Sequence, residues 1–286
     1  MKVALATCTE LPHLDGDESH LVDALKAKGI EHVIASWDGP DAPFVDADVA
    51  VIRSTWDYTQ RVDEFVAWAA RIELAMKANG RELLNPASVV RWNTHKRYLT
   101  ELAKEGIAIV PTAIVQRCDL KAVLSERGWT HGAVVKPCVS AGSRDTVRVR
   151  GLDVEEGQAL LDRETRDMMV QPFVAGIGDG EVSLIYIDGK LSHAVNKIPK
   201  NADFRSQPEF GSNVRAVDAS SEQRARADDI LGIVGGKLLY ARVDFVQGDD
   251  GVPWLMELEL VEPSLYLAWN EQAATKLADA IARRAR

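Results

Sequence analysis

The chain has 286 residues, of which 46% are hydrophobic, and its formal net charge is −9. This length suits two or three packed lobes, and the acidic balance argues against a general nucleic-acid binder, which needs a basic surface. No apolar run approaches the roughly 20 residues of a membrane span, and the first residues lack the features of a signal peptide, so we expect a cytoplasmic protein that binds neither nucleic acid nor membranes.

The first 91 residues alternate between strand-like and helix-like patterns. Residues 2–6 and 31–36 have the composition of strands, and residues 21–29 between them have helical spacing and end on a glycine, which commonly follows a helix. Such alternation predicts a parallel sheet. A third strand, residues 48–53, leads into RSTWDY at a strand end, where open α/β sheets bind ligands. We predict substrate contacts there, with a loop anchored by a buried tryptophan as the alternative, at Arg53, Ser54, Trp56, Asp57 and Tyr58.

Two lysines are candidates for binding phosphate. Lys96 lies near the start of a predicted helix, residues 92–105, and a single helical lysine is usually solvated. Lys136 is more informative, because it ends an apolar strand and precedes the small-residue loop CVSAGSRDT. Backbone N–H groups of such a loop can surround anionic oxygens, and the lysine adds a point charge. The Walker, Gly-x-Gly-x-x-Gly and Gly-x-Ser-x-Gly motifs are absent, which argues against the ordinary dinucleotide-binding and α/β-hydrolase classes.

An apolar segment over residues 168–175 contains one amide, Gln171, and ends at a glycine-rich turn with Asp179. An apolar slot with one amide suits a purine base, and a nearby acid could bind ribose hydroxyls. Residues 181–193 then predict a hairpin that turns at Asp188-Gly189. The basic side chains of the following segment could face phosphates or form salt bridges on a solvated loop. They are Lys197, Lys200 and Arg205.

A second predicted hairpin, residues 242–260, gathers acidic side chains. Side chains alternate between the two faces of a strand, so Glu257 and Glu259 point to the same side, and Asp244 on the paired strand can face them. Three neighbouring carboxylates repel one another unless a cation or a basic side chain neutralises them. Oxygen ligands favour Mg²⁺, which is usually shared with substrate phosphates. The alternative is a solvated strand face whose acids serve solubility.

The order of these motifs resembles that of the ATP-grasp ligases, closest to their glutathione-synthetase-like branch. The resemblance implies a mixed α/β and α+β architecture, in which a parallel α/β lobe, residues 1–91, precedes two α+β lobes, residues 92–168 and 169–286, that clamp a nucleotide. The segments that carry the resemblance are Lys96, Lys136-Pro137, the SAGSRDT loop, QPFV with Asp179, Asp203-Phe204-Arg205, Arg242-x-Asp244 and Glu257-x-Glu259.

The same resemblance implies ATP and Mg²⁺ as cofactors and assigns roles to individual residues. Two positions depart from the family pattern, namely Glu259, where Asn is usual, and Gln171, where an acid is commoner. The implied roles are phosphate binding by Lys96, Lys136, Ser140, Gly142 and Ser143, adenine binding by Gln171, Phe173 and Val174, ribose binding by Asp179, magnesium binding by Asp244, Glu257 and Glu259, and catalysis by Lys197, Arg205 and Arg242.

Members of this family use ATP to phosphorylate a carboxylate, and a nucleophile then displaces phosphate to form a C–N bond, with ADP as product. RSTWDY and MELELVEPSL resemble a group of small bacterial members that includes the D-cycloserine synthetase type of antibiotic biosynthesis, which closes a ring within O-ureido-D-serine. We therefore expect a small amino-acid-like substrate, and a homodimer is left open. The alternatives are a ligase that joins an acid to a separate amine, a small-molecule kinase, and a nucleotide-binding regulator without turnover.

Overall fold

The structure is a computed structural model that describes residues 1–200, 205 and 211–285. Its N-terminal sheet is parallel, as predicted, and consists of β1 (Lys2–Thr7), β2 (Glu31–Ser36), β3 (Val49–Ser54) and β4 (Glu82–Leu84). The strand order is β2-β1-β3-β4. β3 is buried along its whole length because helices pack on both faces of the sheet. The connecting helices are α1 (Ser19–Ala27), α2 (Ala42–Val45) and α3 (Val62–Lys77).

The predicted helix over residues 92–105 is instead two short helices, α4 (Ala87–Asn93) and α5 (Tyr98–Lys104). The break follows from Asn93, whose side-chain amide donates to the Leu258 carbonyl at 2.9 Å and accepts from the Leu260 N–H at 2.7 Å. This side chain therefore continues the hydrogen bonding of a distant strand. Lys96 lies in the linker between the two helices, where its backbone N–H donates to the Cys138 carbonyl.

The central sheet is antiparallel and is covered by α6 (Leu120–Glu126) and α7 (Glu155–Arg163). Its strands are β5 (Ala113–Val115), β6 (Gly132–Pro137), β7 (Val147–Arg150) and β8 (Met168–Pro172). The strand order is β5-β8-β6-β7. β8 pairs with β5 and β6, so the central sheet extends through Pro172, and the predicted boundary at residue 168 falls at the start of β8.

The C-terminal sheet is antiparallel, and its strands are β9 (Glu181–Ile187), β10 (Lys190–Ile198), β11 (Asn213–Val217), β12 (Tyr240–Gln247) and β13 (Pro253–Glu259). Their order in the sheet is β11-β10-β9-β12-β13. The predicted hairpin at Asp188-Gly189 joins β9 to β10, and α8 (Ser221–Val234) packs against the sheet.

The last helix, α9 (Ala273–Arg284), returns to the N-terminal lobe. Its Leu277 and Ile281 share a buried cluster with Leu21 and Leu25 of α1. The same cluster contains Ile185, Ile187 and Val195 of the C-terminal sheet, so this helix packs against both the N-terminal lobe and that sheet. None of the helices in the described ranges is long enough and apolar enough to cross a bilayer.

Candidate active site

A cleft of about 410 Å³ lies where the three lobes meet. Its walls include the turn Trp56–Gln60 of the N-terminal lobe, the loop around Gly142 of the central lobe, and the hairpin of β12 and β13. A cavity of this size is in the range of small-molecule sites. The predicted site residues that line it are Trp56, Asp57, Tyr58, Lys96, Lys136, Ser140, Gly142, Ser143, Gln171, Phe173, Val174, Lys197, Arg205, Arg242, Glu257 and Glu259.

The three predicted metal ligands converge at one side of this cleft. β12 and β13 pair so that Asp244 lies opposite Glu257. Carboxylate oxygens of Asp244, Glu257 and Glu259 all lie within 4.8 Å of one another. This oxygen-only donor set fits a hard divalent cation such as Mg²⁺.

Buried basic side chains surround the acidic cluster. The Arg242 guanidinium donates to Asp244 at 2.9 Å and to Glu259 at 2.5 Å. The Lys197 ammonium lies 2.5 Å from a Glu181 oxygen and 3.5 Å from an Asp244 oxygen. Arg242 and Lys197 are both more than nine-tenths buried, and such charges are tolerated only when they are paired.

Lys96 connects the acidic cluster to the small-residue loop. Its ammonium lies 3.0 Å from a Glu257 oxygen and donates to the Ser140 carbonyl at 2.7 Å. Lys136 lies on β6 and lines the same cleft, and Glu257 is the charge that most favours its ammonium form. Desolvation nevertheless lowers the pKa of Lys136 below its usual value. Both lysines can therefore neutralise an anion placed beside Glu257.

The three carboxyl groups do not titrate alike. Burial opposes ionisation of Asp244 and Glu257, but Arg242 and Lys197 hold the pKa of Asp244 below its usual value, and Lys96 with Lys136 does the same for Glu257. Burial raises the pKa of Glu259 to about 8, although Arg242 attracts its ionised form, and Glu257 and Asp244 add repulsion. Positive charge placed among the three carboxylates would favour their ionised forms.

The cleft that Lys96 and Lys136 line also contains an apolar slot. Val110, Val174 and Ile177 are buried in one cluster, against which Phe173 and Met256 pack. The residue Gln171 is 4% exposed, and its side-chain N–H donates to the Thr112 hydroxyl at 2.9 Å. Arg148 lies over the Phe173 ring, with 3.5 Å between its guanidinium carbon and the ring centroid. These walls suit a flat, largely apolar ring.

Arg53 and Ser54 do not line the cleft, contrary to our prediction of substrate contacts. Arg53 is 1% exposed, and its guanidinium donates to Glu18 at 2.9 Å and to the Pro263 carbonyl at 2.7 Å. The Ser54 hydroxyl accepts from the Asp15 N–H at 2.9 Å. Both residues therefore anchor loops behind the cleft, because the end of β3 is covered by the chain on either side.

Three further predicted positions differ in what they offer a ligand. Asp57 lines the cleft, but its two oxygens accept from Trp37 at 2.7 Å and Arg61 at 2.9 Å, which fixes the turn Trp56–Gln60. Asp179 is exposed and does not line the cleft. Residues 203 and 204 of the Asp203-Phe204-Arg205 motif lie outside the described residues, whereas Arg205 is described and lines the cleft.

Tyr266 is a lining residue that the sequence did not indicate. Its backbone is left-handed, with a φ of 50°, and its ring lies 5.8 Å from the guanidinium carbon of Arg242. The His193 ring nitrogen Nε2 is 3.1 Å from the carbonyls of both Leu265 and Tyr266, which fixes this conformation. His193 and Tyr266 are 73 positions apart, so only the folded chain reveals the link.

Comparison with known proteins agrees with this geometry. The ATP-grasp domain of prokaryotic glutathione synthetase matches residues 95–250, and the N-terminal domain of D-cycloserine synthetase DcsG matches residues 3–85. The chain is 30% identical to the cycloserine biosynthesis protein DcsG of Streptomyces lavendulae, over 99% of this chain and 98% of that protein. A glutathione synthetase of Prochlorococcus marinus is 26% identical, over 78% of this chain and 70% of that protein.

Solved structures share the whole architecture. The crystal structure of D-cycloserine synthetase DcsG superposes with a TM-score of 0.85 at 30% identity and covers 100% of both chains. The D-alanine–D-alanine ligase of Bacillus anthracis has the same fold, with a TM-score of 0.71 at 14% identity over 100% of this chain and 97% of that chain. The chain therefore belongs to the ATP-grasp ligases, with a glutathione-synthetase-like nucleotide-binding half, and is an ATP-dependent enzyme that forms C–N bonds.

Proposed function

We propose that this ligase uses ATP and Mg²⁺ to activate the carboxylate of a small amino-acid-like substrate, and that a nitrogen of the same molecule then closes a ring. The proposed substrate is O-ureido-D-serine and the proposed product is D-cycloserine. One observation carries the proposal. The turn Trp56–Gln60, which belongs to the segment similar to the N-terminal domain of D-cycloserine synthetase, faces the lysines and acids of the ATP-grasp segment across one cleft.

The nucleotide would lie between the central and C-terminal lobes. Its base would enter the apolar slot beside Gln171, Phe173 and Val174, and its phosphates would lie under the loop of Ser140, Gly142 and Ser143. Lys96 and Lys136 would bind the phosphate oxygens, because both line the cleft with Glu257 and Lys96 lies 3.0 Å from that carboxylate. We assign no ribose contact to Asp179, which lies away from the cleft.

Asp244, Glu257 and Glu259 would hold Mg²⁺, which supplies positive charge to the terminal phosphoryl group when it is bound. Arg242 and Lys197 keep Asp244 ionised and so preserve its ligand oxygens. Arg205, with Arg242, can neutralise charge that moves onto the transferred phosphoryl group.

The reaction would proceed in two steps. A substrate carboxylate oxygen attacks the terminal phosphorus of ATP, and the bond from that phosphorus to ADP breaks. The substrate nitrogen then attacks the acyl carbon and phosphate leaves. Because that nitrogen carries the carbamoyl group of the ureido substituent, formation of D-cycloserine also requires water, which releases this group as carbon dioxide and ammonia. The small-residue loop, whose Ser140 carbonyl accepts from Lys96, would exclude water, which otherwise hydrolyses the acyl phosphate.

The test is incubation of the protein with ATP, Mg²⁺ and O-ureido-D-serine, followed by measurement of ADP and mass spectrometry of the product. We expect ADP formation that depends on the substrate, together with the cyclised product. Product formation only when a second amine is added would support the two-substrate ligase, and a stable phosphorylated metabolite would support the kinase. Nucleotide binding without ADP formation, with every substrate tested, would support the nucleotide-binding regulator.

Glu257→Gln tests the assignment of the metal ligands. Because this carboxylate pairs with Lys96 and belongs to the acidic cluster of Asp244, Glu257 and Glu259, we expect ADP formation to fall at least about 100-fold while the fold is kept. Glu271→Gln, at an exposed acid outside the cleft, is the matched control and should be unaffected. Near-parental turnover of the Glu257 variant would reject the assignment.

A further inference from the structure

Glu262 is a further acid of the cleft, near the acidic cluster of Asp244, Glu257 and Glu259. The reaction described above gives Glu262 no role. Glu262 lies three residues beyond the end of β13, lines the cleft, and is 8% exposed. Its carbonyl accepts from the indole N–H of Trp56 at 3.3 Å. This contact fixes the backbone of Glu262 against the turn Trp56–Gln60, so the acid lies where the N-terminal lobe meets the acidic hairpin.

The carboxylate of Glu262 differs from its buried neighbours because it has no basic partner within contact distance. Glu257 pairs with Lys96 at 3.0 Å and Asp244 pairs with Arg242 at 2.9 Å. In the part of the chain that the structure describes, no hydrogen bond or salt bridge joins the Glu262 carboxylate to another side chain. Burial of an acid that has no basic side chain in contact is costly, so a ligand group is the expected partner.

Competing acids in the cleft are less suited to receive a ligand. Both oxygens of Asp57 accept hydrogen bonds from Trp37 and Arg61, and Glu10 is exposed. Glu262 also stands apart from the oxygens that converge on the cation position, which belong to Asp244, Glu257 and Glu259. Glu181 is also buried in the cleft, but it pairs with Lys197 at 2.5 Å. Among the residues that the structure describes, Glu262 is therefore the buried acid of the cleft without a basic partner in contact.

The surroundings of Glu262 favour proton uptake near neutrality. Burial raises the pKa of this carboxyl to about 7, although Lys96 and Arg242 attract the ionised form, and Glu257 adds repulsion. Tyr58 lies nearby, and Glu262 is the charge that most raises the pKa of its phenol after the effect of burial. A carboxyl with these properties can act as a base at neutral pH.

We infer that Glu262 is a catalytic residue that holds the attacking nitrogen of the substrate and accepts its proton. This inference rests on the proposed function. In the ring-closing step, the nitrogen forms a bond to the acyl carbon, and the bond from that carbon to the phosphate oxygen breaks. Phosphate leaves with that electron pair, and the proton of the nitrogen passes to a Glu262 oxygen. Glu262 thus acts after phosphoryl transfer, whereas the acidic cluster of Asp244, Glu257 and Glu259 acts during phosphoryl transfer.

The test separates the two steps with hydroxylamine, which intercepts an acyl phosphate as a hydroxamate. With O-ureido-D-serine, ATP and Mg²⁺, we expect Glu262→Gln to lower the rate of cyclised product by about 100-fold or more, while hydroxamate and ADP formation stay near those of the parent. Glu257→Gln should lose both products together, and Glu271→Gln should lose neither. Equal loss of hydroxamate and cyclised product in the Glu262 variant, or retention of both, would overturn the role of Glu262.

A second variant guards against a purely structural effect. Glu262→Ala leaves a space for a small carboxylate, so added formate should restore ring closure without changing hydroxamate formation. No recovery with formate, in a variant that still forms hydroxamate and melts like the parent, would contradict proton acceptance at this position. If the parent itself forms neither hydroxamate nor cyclised product from O-ureido-D-serine, the proposed function fails, and the role of Glu262 fails with it.

Discussion

Arg242, Lys197 and Lys96 are each at least nine-tenths buried in a cleft that is open to a ligand. Burial of a charge costs several kcal/mol unless an opposite charge and further hydrogen bonds offset that cost. Each of these residues has such a partner among the acids of the cleft, at distances of 2.5–3.0 Å. The acids therefore keep the three basic side chains charged within the cleft, as the proposed binding of phosphate oxygens requires.

Arg53 gives a prediction for a buried ion pair outside the cleft. Arg53→Met would leave the Glu18 carboxylate buried without its partner, so we expect the free energy of unfolding to fall by about 3–5 kcal/mol. Arg71→Met, which removes an exposed pair with Asp41, is the control and should cost at most about 1 kcal/mol. Urea unfolding measures both. If Arg53→Met were instead as stable as the parent but bound substrate weakly, the ligand role predicted from the sequence would be restored.

His193 gives a prediction for pH dependence. Burial lowers the pKa of His193 below its ordinary value of about 6.5, so the unfolded chain binds a proton more readily than the folded chain. The contribution of His193 to stability is therefore complete above about pH 6.5 and declines as the pH falls below it. Urea unfolding from pH 8 to pH 5 should show a shallower decline for His193→Gln than for the parent. The exposed His131 offers the control, and a His131→Gln profile that matched the His193→Gln profile would argue against this cause.

At the scale of elements, the turn Ala175–Asp179 and the start of β9 form one wall of the cleft, through Ile177 and Glu181. Gly180 has a φ of 110°, and a Cβ at this position would overlap the side chain of Asn196, whose amide donates to the Asp179 carbonyl. We expect Gly180→Ala to lower the free energy of unfolding by about 1–3 kcal/mol. At Gly178 a Cβ would meet no atom within 4 Å, so Gly178→Ala should change stability by at most about 0.5 kcal/mol. Equal losses of stability for the two variants in thermal unfolding would show that backbone strain at Gly180 does not cause the loss.

Elements with local pairing could be predicted from the sequence, and those with distant partners could not. The hairpin at Asp188-Gly189 is encoded by its turn and adjacent strands, and the structure confirms it. The register that brings Glu257 opposite Asp244 depends on a shift in pairing between Asp244 and Phe245, which strand alternation alone does not predict. The break after α4 depends on Asn93, whose partners Leu258 and Leu260 are more than 160 positions away. The burial of Arg53 likewise depends on Glu18 and Pro263, which no local pattern reveals.

At the scale of the molecule, the ends of the chain hold the lobes together. α9 follows the C-terminal sheet but packs on α1, where Leu277 is fully buried. We expect Leu277→Ala to cost about 2–5 kcal/mol and to increase amide hydrogen exchange in β1 and α1. Leu74→Ala, at a leucine that is 74% exposed, should leave both quantities close to those of the parent. Faster exchange confined to α9 itself would contradict a stabilising role for this helix in the N-terminal lobe.

The central claim is that the acids of the β12–β13 hairpin bind a divalent ion beside a nucleotide held under Lys96 and Lys136. Crystals grown with Mn²⁺ and a non-hydrolysable ATP analogue would test it most directly, because Mn²⁺ gives an anomalous diffraction signal. The account predicts an anomalous peak coordinated by Asp244, Glu257 and Glu259 and adjacent to the terminal phosphates. A peak elsewhere, or a nucleotide whose phosphates lie away from both lysines, would contradict it.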